Sequence, residues 1–271
     1  MKTVVVLGTH RSGTSLVAGM MHTLGVRMGP PGSDDRWIYP SWANPTGQYE
    51  NPEFTELLHQ FLDFDGEEPR WDPRWDHLED RIREFLPKFV ALVRRTESER
   101  WGWKQAWSML ILEPLLPSLR DPCFVVVRRD LASVVDSLHR RDGLTQSEAE
   151  KVSREIWDRV DAILAAHPEI PAITMDYRAV TRDPLAAARQ LADYLGLGSS
   201  DEEVRRAAGL VINGPTLRRA IRKWAARDLV TLPTRYGWLL AKDLREGSRF
   251  TARHLSVSLP RETYRILRAM T

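Results

Sequence analysis

Four apolar residues running into a glycine-bracketed turn limit what this chain can fold into more than any other stretch. Val4, Val5, Val6 and Leu7 make a continuous apolar run, the pattern of a short strand buried on both faces of a parallel sheet. Gly8-Thr9-His10-Arg11-Ser12-Gly13-Thr14-Ser15 follows, and residues 16–24 read as helix. A loop in this position wraps its backbone N–H groups around an anion, and the helix behind it presents its positive end to the same point. The spacing is G-x-x-x-x-G with two hydroxyl residues behind it. A nucleoside triphosphatase needs Lys directly after the second Gly; here that position holds Thr14. The nearest cation, Arg11, lies inside the loop. The loop therefore suits a 5′-phosphate with a less charged leaving partner better than it suits ATP cleavage.

Further strands are expected over 101–104, 123–127 and 170–175. Helices are expected over 53–62, 77–95 and 109–119, with Pro114 as a possible break, then from 131 through Arg140. A longer helix over 145–166 starts from Thr145 or Ser147, with Glu148 or Glu150 completing a capping box. Asp183-Pro184 opens a helix that stops at Gly196. Residues from 201 on read as short helices and loops. Strands alternating with helices predict an α/β fold, a parallel β-sheet flanked by helices on both faces. Ligands of such sheets bind at the carboxyl ends of the strands. Gly8 to Ser15, Lys104 and Arg128-Arg129 all fall there.

A chain of 271 residues can form one α/β domain, and a single domain over 1–271 is the expectation. One cysteine, Cys123, excludes a disulfide framework and reads as a buried, inert thiol. Neither a signal peptide nor an apolar stretch of bilayer length is present, which points to the cytoplasm. The net charge is +2, yet residues 201–271 carry 15 Lys and Arg against 7 Asp and Glu. That basic C-terminal third is either a solvated surface or a face for an anionic group. Residues 27–49 and 63–76 are irregular and hold Trp37, Trp42, Trp71 and Trp75. These are either anchors for their loops or an aromatic wall for a flat acceptor.

Two stretches together resemble the sulfotransferase family that uses 3′-phosphoadenosine 5′-phosphosulfate (PAPS). Arg11-Ser12-Gly13-Thr14-Ser15 is similar to that family's 5′-phosphosulfate loop, [K/R]-[S/T]-G-T-[S/T]. Val125-Val126-Val127-Arg128-Arg129-Asp130-Leu131 through Ser137 resembles its 3′-phosphate motif, with Leu131 where Pro is usual. Residues 44–50 resemble an N-P-x-G-[Y/F]-x-E segment. Residues 101–104 resemble a W-G-W-K-D-P strand in which Gln105-Ala106 replaces Asp-Pro, and 173–184 resemble the strand and D-P segment before a late helix. The likeness spans residues 1 to about 197.

The resemblance implies a P-loop-type sulfotransferase whose co-substrate is PAPS. Arg11, Ser12, Gly13, Thr14 and Ser15 would then hold the 5′ end, and Arg129 and Ser137 the 3′-phosphate. Sulfuryl transfer, like phosphoryl transfer, needs positioned partners and stabilised charge. Arg11 and Lys104 are the cations for that task. Glu50 is the candidate base, against an alternative role capping the helix that begins near Pro52; His10 is the second candidate. No metal is expected. The acceptor is a hydroxyl or amine of a small molecule, sugar or lipid. Arg128 reads as a surface residue. Two other readings stay open: a P-loop small-molecule kinase, and a non-catalytic nucleotide- or nucleic-acid-binding protein on the same fold. Against the latter, the basic residues lack the interleaved aromatics of a stacking platform.

Overall fold

The computed structural model describes residues 2–33, 38, 44, 46–62 and 77–211. Trp37, Trp42, Trp71, Trp75 and the basic stretch beyond 211 lie outside the described residues.

Four strands pair in parallel: β1 (Lys2–Leu7), β2 (Arg100–Lys104), β3 (Pro122–Arg128) and β4 (Ala172–Asp176), in the spatial order β2-β1-β3-β4. Side chains alternate across a strand, and here both sets are apolar. Val4, Val6, Cys123, Val125, Val127 and Met175 face one way; they pack on helices α1 (Thr14–Thr23), α8 (Pro184–Leu195) and α9 (Asp201–Ala208). Val5, Leu7, Trp101, Trp103, Phe124 and Val126 face the other way. They meet α2 (Pro52–Phe61), α3 (Leu78–Thr96), α4 (Met109–Leu115), α5 (Leu131–Asp142) and α6 (Gln146–Ala166). Phe54 of α2 stacks on Trp103 with ring centroids 4.9 Å apart. The sheet is therefore covered on both faces, as the continuous apolar runs require.

The chain leaves β1 towards β2 on one side, whereas it leaves β3 towards β4 on the other. Such a reversal opens a crevice between the carboxyl ends of β1 and β3. The loop after β1 and Arg129 after β3 sit on its two sides.

Several boundaries differ from the sequence expectation for local reasons. Helix α1 starts at Thr14 because Gly13, at φ 100°, serves as its cap. The expected helix over 109–119 is instead α4 flanked by 3-10 turns at Ala106–Ser108 and Leu116–Ser118; Pro117 has no N–H with which to continue it. Of the two possible caps for α6, Thr145 is used, and it closes a capping box with Glu148. A short helix, α7 (Tyr177–Arg182), capped by Asp176, fills the connection after β4. Among the described residues no helix is long and apolar enough to cross a membrane.

Cys123 is the second residue of β3, with 1% of its surface exposed. Burial pushes its thiol up to about 11 from an ordinary value near 9, and the reactive species is the thiolate. A thiol-disulfide reagent at pH 8 is expected to leave the folded chain unlabelled and to titrate one thiol after denaturation. Fast labelling of the native chain would contradict this burial. The sign for stability follows. The unfolded thiol ionises near 9 and the native one near 11, so the native state loses stability as pH rises across that interval.

Candidate active site

The loop after β1 is held in a shape that few sequences allow. Gly13 at φ 100° lies under the Tyr177 ring, and a Cβ there would come within 2.3 Å of Tyr177 Cδ2. Arg11 adopts φ 63°, a left-handed conformation that costs a non-glycine residue about 1–2 kcal/mol. Two bonds hold it there. Arg129 Nη1 donates to the Arg11 carbonyl at 2.9 Å, and Arg11 Nε donates to Ser137 Oγ at 3.0 Å. The Arg129 guanidinium also lies over the Tyr177 ring, 4.7 Å from its centroid. The two stretches that sequence reasoning singled out are thus one hydrogen-bonded unit. Ser12 contributes from inside: fully buried, it donates from Oγ to the Thr9 carbonyl at 2.7 Å and closes the turn.

Beside this unit lies a cavity of about 170 Å³. Arg11, Thr14, Ser15 and Lys104 border it on the loop side. His10 borders it too, its ring edge-on to Trp107 with centroids 5.3 Å apart. Asn44, Gln48, Glu50, Gln105 and Asp142 line the remainder, along with Ala106. Lys104 closes β2 and is 4% exposed, and its Nζ donates to Glu50 Oε1 at 2.5 Å. A buried ammonium needs such a partner, because an unpaired charge in the interior is strongly destabilising. Glu50 does not cap the following helix. Asn51 does, its Oδ1 accepting from the Glu53 N–H at 3.0 Å.

Arg128 points away from the crevice, paired with Asp161 and lying over Trp157, as expected of a surface residue. Tyr177, Gln105 and Asp142 were not singled out as site residues in the sequence. Tyr177, the first residue beyond β4, nevertheless lies within the 173–184 segment that resembles the family. Gln105 stood out only as a departure from the Asp of the W-G-W-K-D-P pattern. Among the described residues no three His, Cys, Asp or Glu side chains are grouped as metal ligands.

A family model described as the sulfotransferase family matches residues 3–201. The chain belongs to the sulfotransferase family. No curated protein matches it. Solved structures do. The sulfotransferase domain of a Synechococcus olefin synthase is 15% identical, with 80% of this chain and 79% of that one covered and a TM-score of 0.46. A sulfotransferase from Mycobacterium tuberculosis is 17% identical, with 83% and 76% covered and a TM-score of 0.46. A retinol dehydratase, solved with androsterone and the inactive cofactor PAP, is 16% identical, with 77% and 64% covered and a TM-score of 0.42. The matched region takes in β1 from its second residue through β4 and every described side chain of the cavity, and it ends where α9 begins. The basic stretch beyond 211 falls outside it.

Proposed function

We propose that this sulfotransferase moves the sulfuryl group of PAPS to a hydroxyl or amine of a small-molecule acceptor. One observation carries the reading. The Arg11-to-Ser15 loop, Arg129 and Ser137 form a single bonded unit that opens onto a cavity holding the buried Lys104–Glu50 pair. The residues fit the co-substrate. Gly13 leaves the N-terminus of α1 without a side-chain cap, which suits a 5′-phosphate. Thr14 and Ser15 add hydroxyls, and Arg11 and Lys104 add positive charge. Arg129 and Ser137 suit the 3′-phosphate, since a guanidinium recognises phosphate by paired donors.

Glu50 takes the proton of the acceptor group as the acceptor oxygen or nitrogen bonds to sulfur. The bond between sulfur and the 5′-phosphate oxygen breaks, and its electron pair stays on that oxygen, so the desulfated nucleotide PAP leaves. Lys104 and Arg11 face the charge that collects there. Lys104 also holds the Glu50 carboxylate at the cavity wall, so one ion pair positions base and electrophilic stabiliser together. His10, across the same cavity, is the alternative proton acceptor.

Calorimetric titration with PAP, and separately with ATP and magnesium, tests the reading. PAP is expected to bind and ATP with magnesium to bind at least ~10-fold more weakly. Loss of a charge-assisted hydrogen bond is worth about 1.5–3 kcal/mol, so Arg129→Ala should weaken PAP by roughly 10- to 150-fold. Ser137→Ala, which leaves the Arg129 anchor on the loop intact, should weaken it less. Absence of PAP binding, or a preference for ATP, would overturn the proposal and favour the kinase reading.

A further inference from the structure

We infer that Arg178 is a positioning residue for the 3′ end of the nucleotide: by occupying Asp130 it leaves the Arg129 guanidinium to recognise the 3′-phosphate. The inference rests on the PAPS reading above and assigns that site a determinant outside the loop and the strand-end motif.

The need for such a residue arises in the sequence. Arg129, the residue suited to the 3′-phosphate, is followed directly by a carboxylate, Asp130. That carboxylate is fixed at the rim because it caps α5, its Oδ1 accepting from the Ser133 N–H at 2.9 Å. Left to itself it would act against the ligand in two ways. It would compete for the neighbouring guanidinium, and it would repel a phosphate monoester, which carries about 1.5 to 2 negative charges near neutral pH.

The structure shows how the carboxylate is taken up. Its second oxygen, Oδ2, meets Arg178 Nη2 at 3.3 Å. Its carboxyl sits below the usual range through the Ser133 bonds first, then the charge of Arg178, then that of Arg129. Arg129 makes no ion pair among the described residues. It donates from Nη1 to the Arg11 carbonyl and lies over Tyr177. A guanidinium has five N–H donors, so that one bond leaves others for a ligand. Both supports come from adjacent residues at the start of α7: Tyr177 backs Arg129, and Arg178 engages Asp130. As a stabiliser the Arg178–Asp130 pair counts for little, because 75% of the Arg178 side chain and 35% of the Asp130 side chain are exposed. Its effect is on the charge at the strand end. Arg129, Asp130 and Arg178 together carry one net positive charge, and without Arg178 they carry none.

The test compares PAP with 5′-AMP, which lacks the 3′-phosphate, by calorimetric titration of the full chain. The wild type is expected to favour PAP. In ~20 mM salt, Arg178→Ala should weaken PAP about 3- to 5-fold and leave 5′-AMP within about 1.5-fold. A merely structural role would weaken both nucleotides. Arg178→Lys keeps the charge and should hold the wild-type preference. Asp130→Asn keeps a capping oxygen and removes the charge that Arg178 answers, so it should bind PAP at least as tightly as the wild type. In that background Arg178→Ala should change PAP affinity by less than about 1.5-fold, whereas a direct contact between Arg178 and the phosphate would cost the same with or without Asp130. A wild type that binds both nucleotides alike, unchanged PAP affinity in Arg178→Ala, equal weakening of PAP and 5′-AMP, or an equal loss in the Asp130→Asn background would each overturn the inference and leave sulfuryl transfer from PAPS standing. Failure of the wild type to bind PAP at all would overturn that reading, and this inference with it.

Discussion

Replacing Glu50 by Gln is expected to lower kcat by about two to four orders of magnitude while PAP binds as tightly as before or more tightly. Gln keeps the shape of the side chain and an oxygen for Lys104, but it cannot take a proton. The wild-type contact is a 2.5 Å ion pair whose ammonium is nearly inaccessible. In the variant that ammonium faces a neutral amide and is freer to engage an incoming phosphate, which is why affinity should not fall. Single-turnover kinetics separate the chemical step from binding, and the pH profile separates a base from a scaffold. The acidic limb of kcat/KM should disappear in Glu50→Gln and persist in a variant that only loosens the loop. A decrease of less than about tenfold would move the base to His10, which borders the same cavity, and His10→Asn would then show the larger loss.

Gly13→Ala is the second large effect. A methyl group at this position meets Tyr177 at 2.3 and 2.8 Å, and the residue sits at φ 100°. Left-handed strain costs about 1–2 kcal/mol. Displacing Tyr177 also forfeits its contact with the Arg129 guanidinium, worth about 0.5–1 kcal/mol. At about 2–4 °C per kcal/mol for a domain of this size, a Tm decrease of roughly 3–12 °C follows. The effect on PAP affinity should be larger still, at least ~100-fold, because the loop, α1 and Arg129 share the distorted contact. Adding Tyr177→Ala to Gly13→Ala removes the collision but not the strain, so it should restore part of the Tm. Calorimetry and thermal melts on both proteins read the two quantities. A Gly13→Ala protein that binds PAP normally would show that the geometry of this turn is not what holds the nucleotide.

The loop after β1 and the strand end at Arg129, which the structure joins into one bonded unit, were legible because their signals are local. Glycine spacing, an apolar run and a basic residue at a strand end can be read within a dozen positions. The capping box at Thr145 and the Asp183-Pro184 helix start were legible for the same reason. What could not be read was set by partners distant in sequence. Lys104 finds Glu50 across 54 residues, and Arg11 finds Ser137 across 126. Proximity to Pro52 made Glu50 look like a cap, yet the shorter Asn51 side chain one residue later reaches the Glu53 N–H instead.

The helix entries along the carboxyl edge of the sheet have one more consequence. Behind β3, Asp130 turns its carboxylate onto the Ser133 N–H, and those bonds hold its carboxyl below the usual range. Behind β4, Asp176 does the same to the Ala179 N–H at 2.8 Å. Behind β1 and β2, the cap positions Gly13 and Gln105 offer no side-chain bond at all. The entries behind β3 and β4 therefore carry their own negative charge, whereas the entry behind β1 leaves the first amides of α1 without a side-chain acceptor. A molecule with an anion at each end meets a directional field as it enters. On the proposed PAPS reading, the transferable end is favoured at the α1 entry, beside Lys104, and the opposite end is held by the Arg129 side chain. On that reading, orientation follows from which helix entries carry a capping carboxylate as well as from where the chain places its cations.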